Sequence, residues 1–287
     1  MLAIYKKELR SYFTSMIGYV FIAFFLVIIG LYFVINNFIM GYANFEYVLS
    51  GVSFIFILLV PLLTMRLIAE ENKQKTDQLL LTSPLSANSI ILGKFLAVLT
   101  IFMIVIAVTC TFPLIIKQYG VVPMASAYSA LVGFTLLGAA YLALGLFISS
   151  LTESQVVAAV ITFITFLLTF LMDSIASVLP TDNKSAWVIF SVLLLVICVI
   201  VHQMMHNLTV TVGIAFVGEV ALTAIYLVKP TLFDGLVVYV FNWFSVLTRF
   251  DSFTMGIFDL TNVVYYLSII FIFLFLSVQS LKKKRWS

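Results

Sequence analysis

The sequence predicts an all-α, polytopic integral membrane protein, a helical bundle of about eight spans, and three observations carry that prediction. Charged residues make up only 9% of the chain, against about 25% in soluble domains. The apolar fraction is 63% of 287 residues, too much for a soluble fold of that length to cover with polar groups. The apolar residues are also gathered into runs of about 20, the length that crosses a hydrocarbon core at about 1.5 Å rise per residue.

Residues 1–15 carry Leu2, Tyr5, Leu9, Tyr12 and Phe13 at spacings of three and four, with Lys6, Lys7 and Arg10 opposite. That pattern predicts an interfacial helix lying on the bilayer. Spans are expected at 16–36, 51–69, 93–116, 127–149, 155–179, 186–205, 208–228 and 262–281. With eight spans and an inside N-terminus, 11 of the 15 Lys and Arg fall on one side, among them Lys6, Lys7, Arg66, Lys73, Lys94 and the terminal "KKKR". The positive-inside bias then makes both termini cytoplasmic in a cell-membrane protein. "TLFDGLVVYVFNWFSVL" (231–247) is apolar, but a ninth span would turn "KKKR" outward. Residues 230–261 are therefore expected to lie in, or dip into, the outer interface.

The segment "RLIAEENKQKTDQLLLTSPLSANSIILGK" (66–94) holds seven charged residues between two spans. Its period predicts a helix over 66–81, ended by Ser83 before Pro84. Ser86 or Asn88 is then placed to cap the helix that re-enters the membrane. A charged helix held between two spans suits contact with a soluble partner, and its displacement would pass to both spans.

Several chemistries find no support. There is no phosphate loop; Gly93–Lys94 is followed by Phe95 and lacks the upstream glycine. No segment outside the spans has room for a nucleotide-binding domain. His202 and His206 stand four apart without a carboxylate or cysteine near them, so no metal site is expected, nor any nucleophile–base pair. The basic residues sit at membrane-facing ends rather than in one patch, which argues against nucleic acid.

"IAEENKQKTDQLLLTSPLSANSIILGKFLA" resembles the signature of ABC-2-type transporter permeases, with acidic residues after the second span, a Thr, a Leu-rich turn, Ser-Pro and Gly-Lys entering the third span. "YKKELRSYFTSMIGYV" is similar to that family's N-terminal helix and first span. "LTRFDSFTMGIFDLTNVVYYLSIIFIFLFLSVQSLKKKRW" resembles the C-terminal end of the gliding-motility-associated permease subfamily, especially its Gram-positive relatives. Two departures stand out: Lys75 replaces the Gly that many relatives have before the Thr, and 186–228 looks like a helix pair inserted into a six-span plan. The resemblance implies a single permease domain over 1–287, with a coupling segment at 66–92, acting as the exporter-type transmembrane subunit of an ATP-driven transporter. It implies two copies of a separate ABC ATPase, a second permease copy or homologous permease, and room for an accessory membrane subunit. The chain itself would be no enzyme and bind no cofactor; ATP and Mg would belong to the ATPase. Carried onto this sequence, the ATPase contacts are Glu70, Glu71, Lys75, Thr76 and Asp77, with Glu153 of "SSLTESQ" (149–155) as a second contact.

Polar residues within spans complete the candidates. Thr162, Thr165, Thr169 and Asp173 share one face of the fifth span. That face either lines the translocation path or dimer seam, or packs against neighbours through small hydroxyls. Glu219 stands mid-span in the seventh, where an ionisable group is costly and is read as functional or as held neutral by a neighbour. An ion-coupled secondary transporter, which predicts paired broken helices, and a non-transporting scaffold that docks a cytosolic ATPase are the alternatives.

Overall fold

The computed structural model describes residues 1–75, 85–205 and 208–286, and the described residues are helical with no strand among them. In chain order the helices are α1 (Leu2–Thr14), α2 (Ile17–Phe33, continued as a π-helix over Val34–Ile39), α3 (Glu46–Val52), α4 (Ile55–Thr64), α5 (Ala69–Gln74), α6 (Ala87–Thr109) and α7 (Phe112–Lys117). They continue with α8 (Met124–Leu151), α9 (Gln155–Val178), α10 (Asn183–Met205), α11 (Leu208–Val228), α12 (Leu236–Phe244), α13 (Val246–Thr254) and α14 (Leu260–Trp286).

Among the described residues, five stretches are long and apolar enough to cross a membrane unaided: Ile17–Ile39, Ala87–Lys117, Met124–Leu151, Gln155–Val178 and Leu260–Lys284. Two bent pairs raise the count to seven. Glu46–Val52 and Ile55–Gln74 meet at 60°, so the straight second span expected over 51–69 is corrected to a broken one. Its cause is local: Ser53 turns its hydroxyl back onto the Ser50 carbonyl at 2.7 Å, which competes with the helical ladder and bends it. Ala215–Val228 and Pro230–Trp243 meet at 112°, because Pro230 restricts Lys229 and cannot donate a ladder hydrogen bond. The sixth expected span, 186–205, lies within α10, whose stretch Asn183–Val196 is apolar.

Two compact units divide the chain, Met1–Phe170 with Val246–Ser287, and Leu171–Ser245. In the first, α8 is the axis: 78% of its most apolar window is buried, against 28% for α2 and 22% for α14. Around it Phe25, Phe56, Phe102 and Phe134 form a ring cluster with centroids 4.7–6.3 Å apart, all but fully buried. Gly138 lets α8 come this close; a Cβ there would sit 2.5 Å from the Phe102 ring and 3.0 Å from Phe56.

In the second unit, Trp187 of α10 and Phe233 flank Tyr226 of α11, each pair of rings with centroids 5.8 Å apart, around a small core of Ala186, Phe233 and Val237. The Gly235 N–H donates to the Thr181 carbonyl at 2.9 Å and ties the turn after α11 to the start of α10.

Gly138→Val should overpack the ring cluster, which has no slack to absorb two methyl groups, at a cost of about 1–3 kcal/mol. Gly30→Ala, where nothing lies within 4 Å of the added Cβ, is the control. Thermal unfolding of the detergent-purified chain should show the first variant destabilised and the second near the parent; equal melting of all three would refute the close packing at Gly138.

Candidate functional site

The end of the bundle where α1, α5, α6 and α8 meet carries a cluster of charges with few equals in an apolar chain. It starts with the break after α4. Thr64 closes that helix, and residues 65–68 form turns, with the Met65 N–H on the Pro61 carbonyl and the Leu67 N–H on the Thr64 carbonyl, which open a gap in the ladder at the Leu67 carbonyl. Lys94, in the second turn of α6, fills that gap. Its ammonium donates to the Leu67 carbonyl at 2.6 Å, to Glu8 Oε1 at 2.9 Å and pairs with Glu71 Oε2 at 2.9 Å. A lysine has three N–H donors and here all three are used. That is why Lys94 can be 1% exposed.

Glu8 reaches the site because α1 lies directly on α6. A Cβ on Gly93 would meet Ile4 and the Met1 carbonyl at 3.1 Å, so a larger residue there would lift α1 away. The face α1 buries against the bundle is Ile4, Glu8 and Tyr12; of the expected apolar stripe Tyr12 belongs to it, while Tyr5, Leu9 and Phe13 are half-buried and Leu2 is exposed. Two polar side chains pull the helix round. Besides Glu8, the Tyr12 hydroxyl donates to the Leu63 carbonyl at 2.7 Å.

Lys7 completes the cluster by donating to Glu71 Oε1 at 2.9 Å. Two ammonium groups and two carboxylates then balance. Burial by itself lowers the Lys7 pKa, but the hydrogen bond and charge of Glu71, with Glu8 adding to them, more than reverse this, and the group titrates above the ordinary lysine value. A buried charge of this kind is tolerated only when its partners are complete.

Helix α5 is also clipped to the end of α8. The Ser149 hydroxyl accepts N–H bonds from Ile68 and Ala69, both at 3.1 Å, and donates to the Met65 carbonyl at 3.3 Å. Asn72 donates to the Thr152 carbonyl at 3.0 Å. Arg66 grips Glu70 through Nε at 2.6 Å and Nη2 at 3.2 Å, and reaches Ser15 through Nη1 at 3.2 Å.

The helix expected over 66–81 is shorter within the described residues. It spans Ala69–Gln74 and stops at Lys75, which adopts a left-handed conformation at φ 55°. Thr76 and Asp77 lie outside the described residues, as does His206. Glu70 is engaged by Arg66 and Glu71 faces inward, whereas Lys73, Gln74, Lys75 and Glu153 are exposed. Ser86 caps α6, accepting the Ser89 N–H at 3.3 Å.

Thr162 is fully buried and bonds the Ala158 carbonyl of its own helix; Thr165 bonds Ile161, and Thr169 bonds Phe166 and lies 3.3 Å from the Tyr141 hydroxyl. Asp173 is exposed and falls in the second unit. There too, Glu219 accepts from Ser191 at 3.0 Å through one carboxylate oxygen, while its other oxygen is buried without a partner among the described residues. Among the described residues no three metal-ligating side chains come together.

Glu8 was not singled out from the sequence, and Lys94 and Ser149 entered only as members of the Gly-Lys and "SSLTESQ" stretches. A signal existed for two of them. Ile4, Glu8 and Tyr12 share a four-residue spacing, and Lys94 lies inside the apolar period of α6 rather than before it. Nothing in the sequence marks Ser149.

A family model described as "ABC-2 family transporter protein" matches residues 36–230, and the chain belongs to that family. No curated protein matches the chain. The protein is accordingly a multi-pass membrane permease component of an ABC transporter, of a family that works with an ABC ATPase.

Removing one partner of a buried ion cluster strands the rest. Lys94→Met should therefore lose about 3–5 kcal/mol of stability. Combined with Glu8→Gln it should lose less than the two single changes added together, by about 0.5–3 kcal/mol, since the partners share one interaction. Unfolding of the four purified proteins of this cycle measures both quantities, and strict additivity would mean that Lys94 and Glu8 do not pair.

Proposed function

We propose that this ABC-2 permease is an exporter subunit in the cell membrane, with both termini cytoplasmic, and that α5 is the element through which a separate ATPase drives it. The observation that carries the reading is the attachment of α5. A helix of six residues is fixed to α1 and α6 through Lys7, Glu8, Glu71 and Lys94, and to α8 through Ser149 and Asn72. Pushing on its outward face would load three neighbouring helices at once.

That outward face divides the expected contacts by role. Lys73, Gln74, Lys75 and Glu153 are free to meet the ATPase, joined in this reading by Thr76 and Asp77. Glu71 instead holds the helix to the bundle, and Glu70 with Arg66 stiffens its approach. ATP and Mg act on the ATPase, and the chain needs no cofactor of its own. Two ATPase copies and a second permease copy or homologous permease complete the assembly, with an accessory membrane subunit as an optional member. Thr165 and Asp173 are the members of the hydroxyl stripe left to line the path or dimer seam. Placement in the gliding-motility-associated subfamily rests on the C-terminal stretch, which lies beyond the 36–230 match.

The two bent helix pairs resemble what a secondary transporter would show. Family membership decides against that reading, because broken helices are also compatible with any membrane bundle that buries the freed backbone groups.

The isolated chain should hydrolyse no ATP, with activity appearing only on addition of the ATPase subunit. Reversing two exposed charges, Lys73→Glu with Lys75→Glu, should lower co-purification of the ATPase about tenfold or more. An exposed pair contributes about 1 kcal/mol or less, but a desolvated pair at a docked interface contributes several times that. Lys184→Glu is the control. A double variant that assembles and transports like the parent would remove the docking role of α5.

Topology is checked separately. Single cysteines near Lys73 and Lys283 should label from the cytoplasmic side, and those near Lys184 and Asp251 from outside. Labelling of "KKKR" from outside would mean an odd number of spans.

A further inference from the structure

A groove of about 270 Å³ runs between the N-terminal half of α6 and the C-terminal half of α14, within the first unit. Leu92, Phe271 and Phe275 form its open, apolar side, and Asn88, Gln279 and Lys282 stand at its mouth. We propose that it binds an anionic phospholipid, with acyl chain along the apolar wall and phosphodiester at Lys282. Only the choice of leaflet, the cytoplasmic one, rests on the function proposed above.

Shape and charge favour this occupant together. Lys282 lies at the end of the Leu260–Lys284 span, where headgroups lie. Phe275 and Phe271 are seven and eleven residues deeper on the same helix, about 10 and 16 Å at 1.5 Å per residue. The groove therefore descends from headgroup level into the acyl layer, a course that fits a lipid and not a soluble anion.

Its mouth is polarised for a phosphate. No acidic residue lines the groove, and the Lys282 ammonium has no ion-pair or hydrogen-bond partner among the described residues. The Asn88 and Gln279 amides add neutral N–H donors on either side. Asn88 lies in the first turn of α6, where the helix dipole also favours negative charge. In the sequence Lys283, Lys284 and Arg285 follow directly. A run of four basic residues at the end of a membrane span attracts anionic lipid, and basic pockets between spans hold such headgroups.

Native mass spectrometry of the full chain tests this, with palmitoyl-oleoyl phosphatidylglycerol and phosphatidylcholine added in equal amounts. The parent should retain the anionic lipid about fivefold over the zwitterionic one, the selectivity expected of one lysine at a charged surface. Lys282→Glu should abolish the preference, Lys282→Gln should weaken it and Lys282→Arg should keep it. Leu92→Trp, which fills the groove, should reduce retention of both lipids. The control Lys184→Glu should change nothing.

Equal preference in the parent and Lys282→Glu overturns the proposal. So does competition by millimolar inorganic phosphate, which would mark a soluble-anion site, or a change in oligomer mass with lipid retention unaltered, which would mark a contact between copies. Retained ATPase association in the α5 variants with the lipid preference of the parent intact would count against the coupling role alone, so the two ideas fail separately.

Discussion

The burial of Lys94 is the constraint on which the charged end of this molecule, where α1, α5 and α6 meet, depends. An ammonium taken out of water is costly unless each of its donors finds an acceptor. Each acceptor here comes from a different part of the chain: Glu8 from α1, Glu71 from α5, and the Leu67 carbonyl from the turn after α4. The lysine thus fixes three elements relative to α6. Those elements in turn explain local features that look unrelated. Gly93 is small so that α1 can lie on α6, and the turn at 65–68 exposes a carbonyl that an unbroken helix would have used.

Away from this end the bundle is held by shape. The Phe25, Phe56, Phe102 and Phe134 cluster is close-packed around α8, and edge-to-face rings add about 0.5–1.5 kcal/mol per pair beyond the area they bury. A core of this kind resists deformation, because interiors at crystal-like density have few alternative packings. In the proposed coupling role, movement delivered at the α5 end would therefore reach α6 as displacement of a whole helix.

Much of this was legible from periodicity and composition. The span expected at 127–149 lies inside α8, that at 155–179 matches α9 to one residue, and the Ser86 cap follows from a Ser placed after a Pro-terminated turn. Long apolar runs leave few choices to the backbone, so their helices are readable. What was not legible depends on partners distant in sequence. The direction of Glu71 is decided by Lys94, 23 positions away, and the rotation of α1 by Glu8 and Tyr12 finding Lys94 and Leu63. Charged residues in a polar segment look solvent-bound until a buried opposite charge is placed beside them. The 60° bend at Ser53 was hidden for a related reason. A serine in an apolar run is compatible with a straight helix, and only its chosen hydrogen bond shows that the helix breaks.

The attachments of α5 also differ in strength, and that difference matters more than their number. Its links to α1 and α6 are charge-assisted: Lys7–Glu71 lies at the exposed rim, whereas Lys94–Glu71 is buried, and separating the latter would strand a charge at about 3–5 kcal/mol. Its links to α8 are neutral hydrogen bonds through Ser149 and Asn72. Each contributes about 0.5–1.5 kcal/mol net, and water can replace them at an open end. A force on α5 therefore meets a stiff connection on one side and a compliant one on the other. α1, α5 and the start of α6 are bound to respond as one body, and α8, anchored by the aromatic core, is the surface against which that body yields. In the proposed coupling role, the neutral clip would allow relative motion and the ion cluster would carry that motion to a membrane-spanning helix.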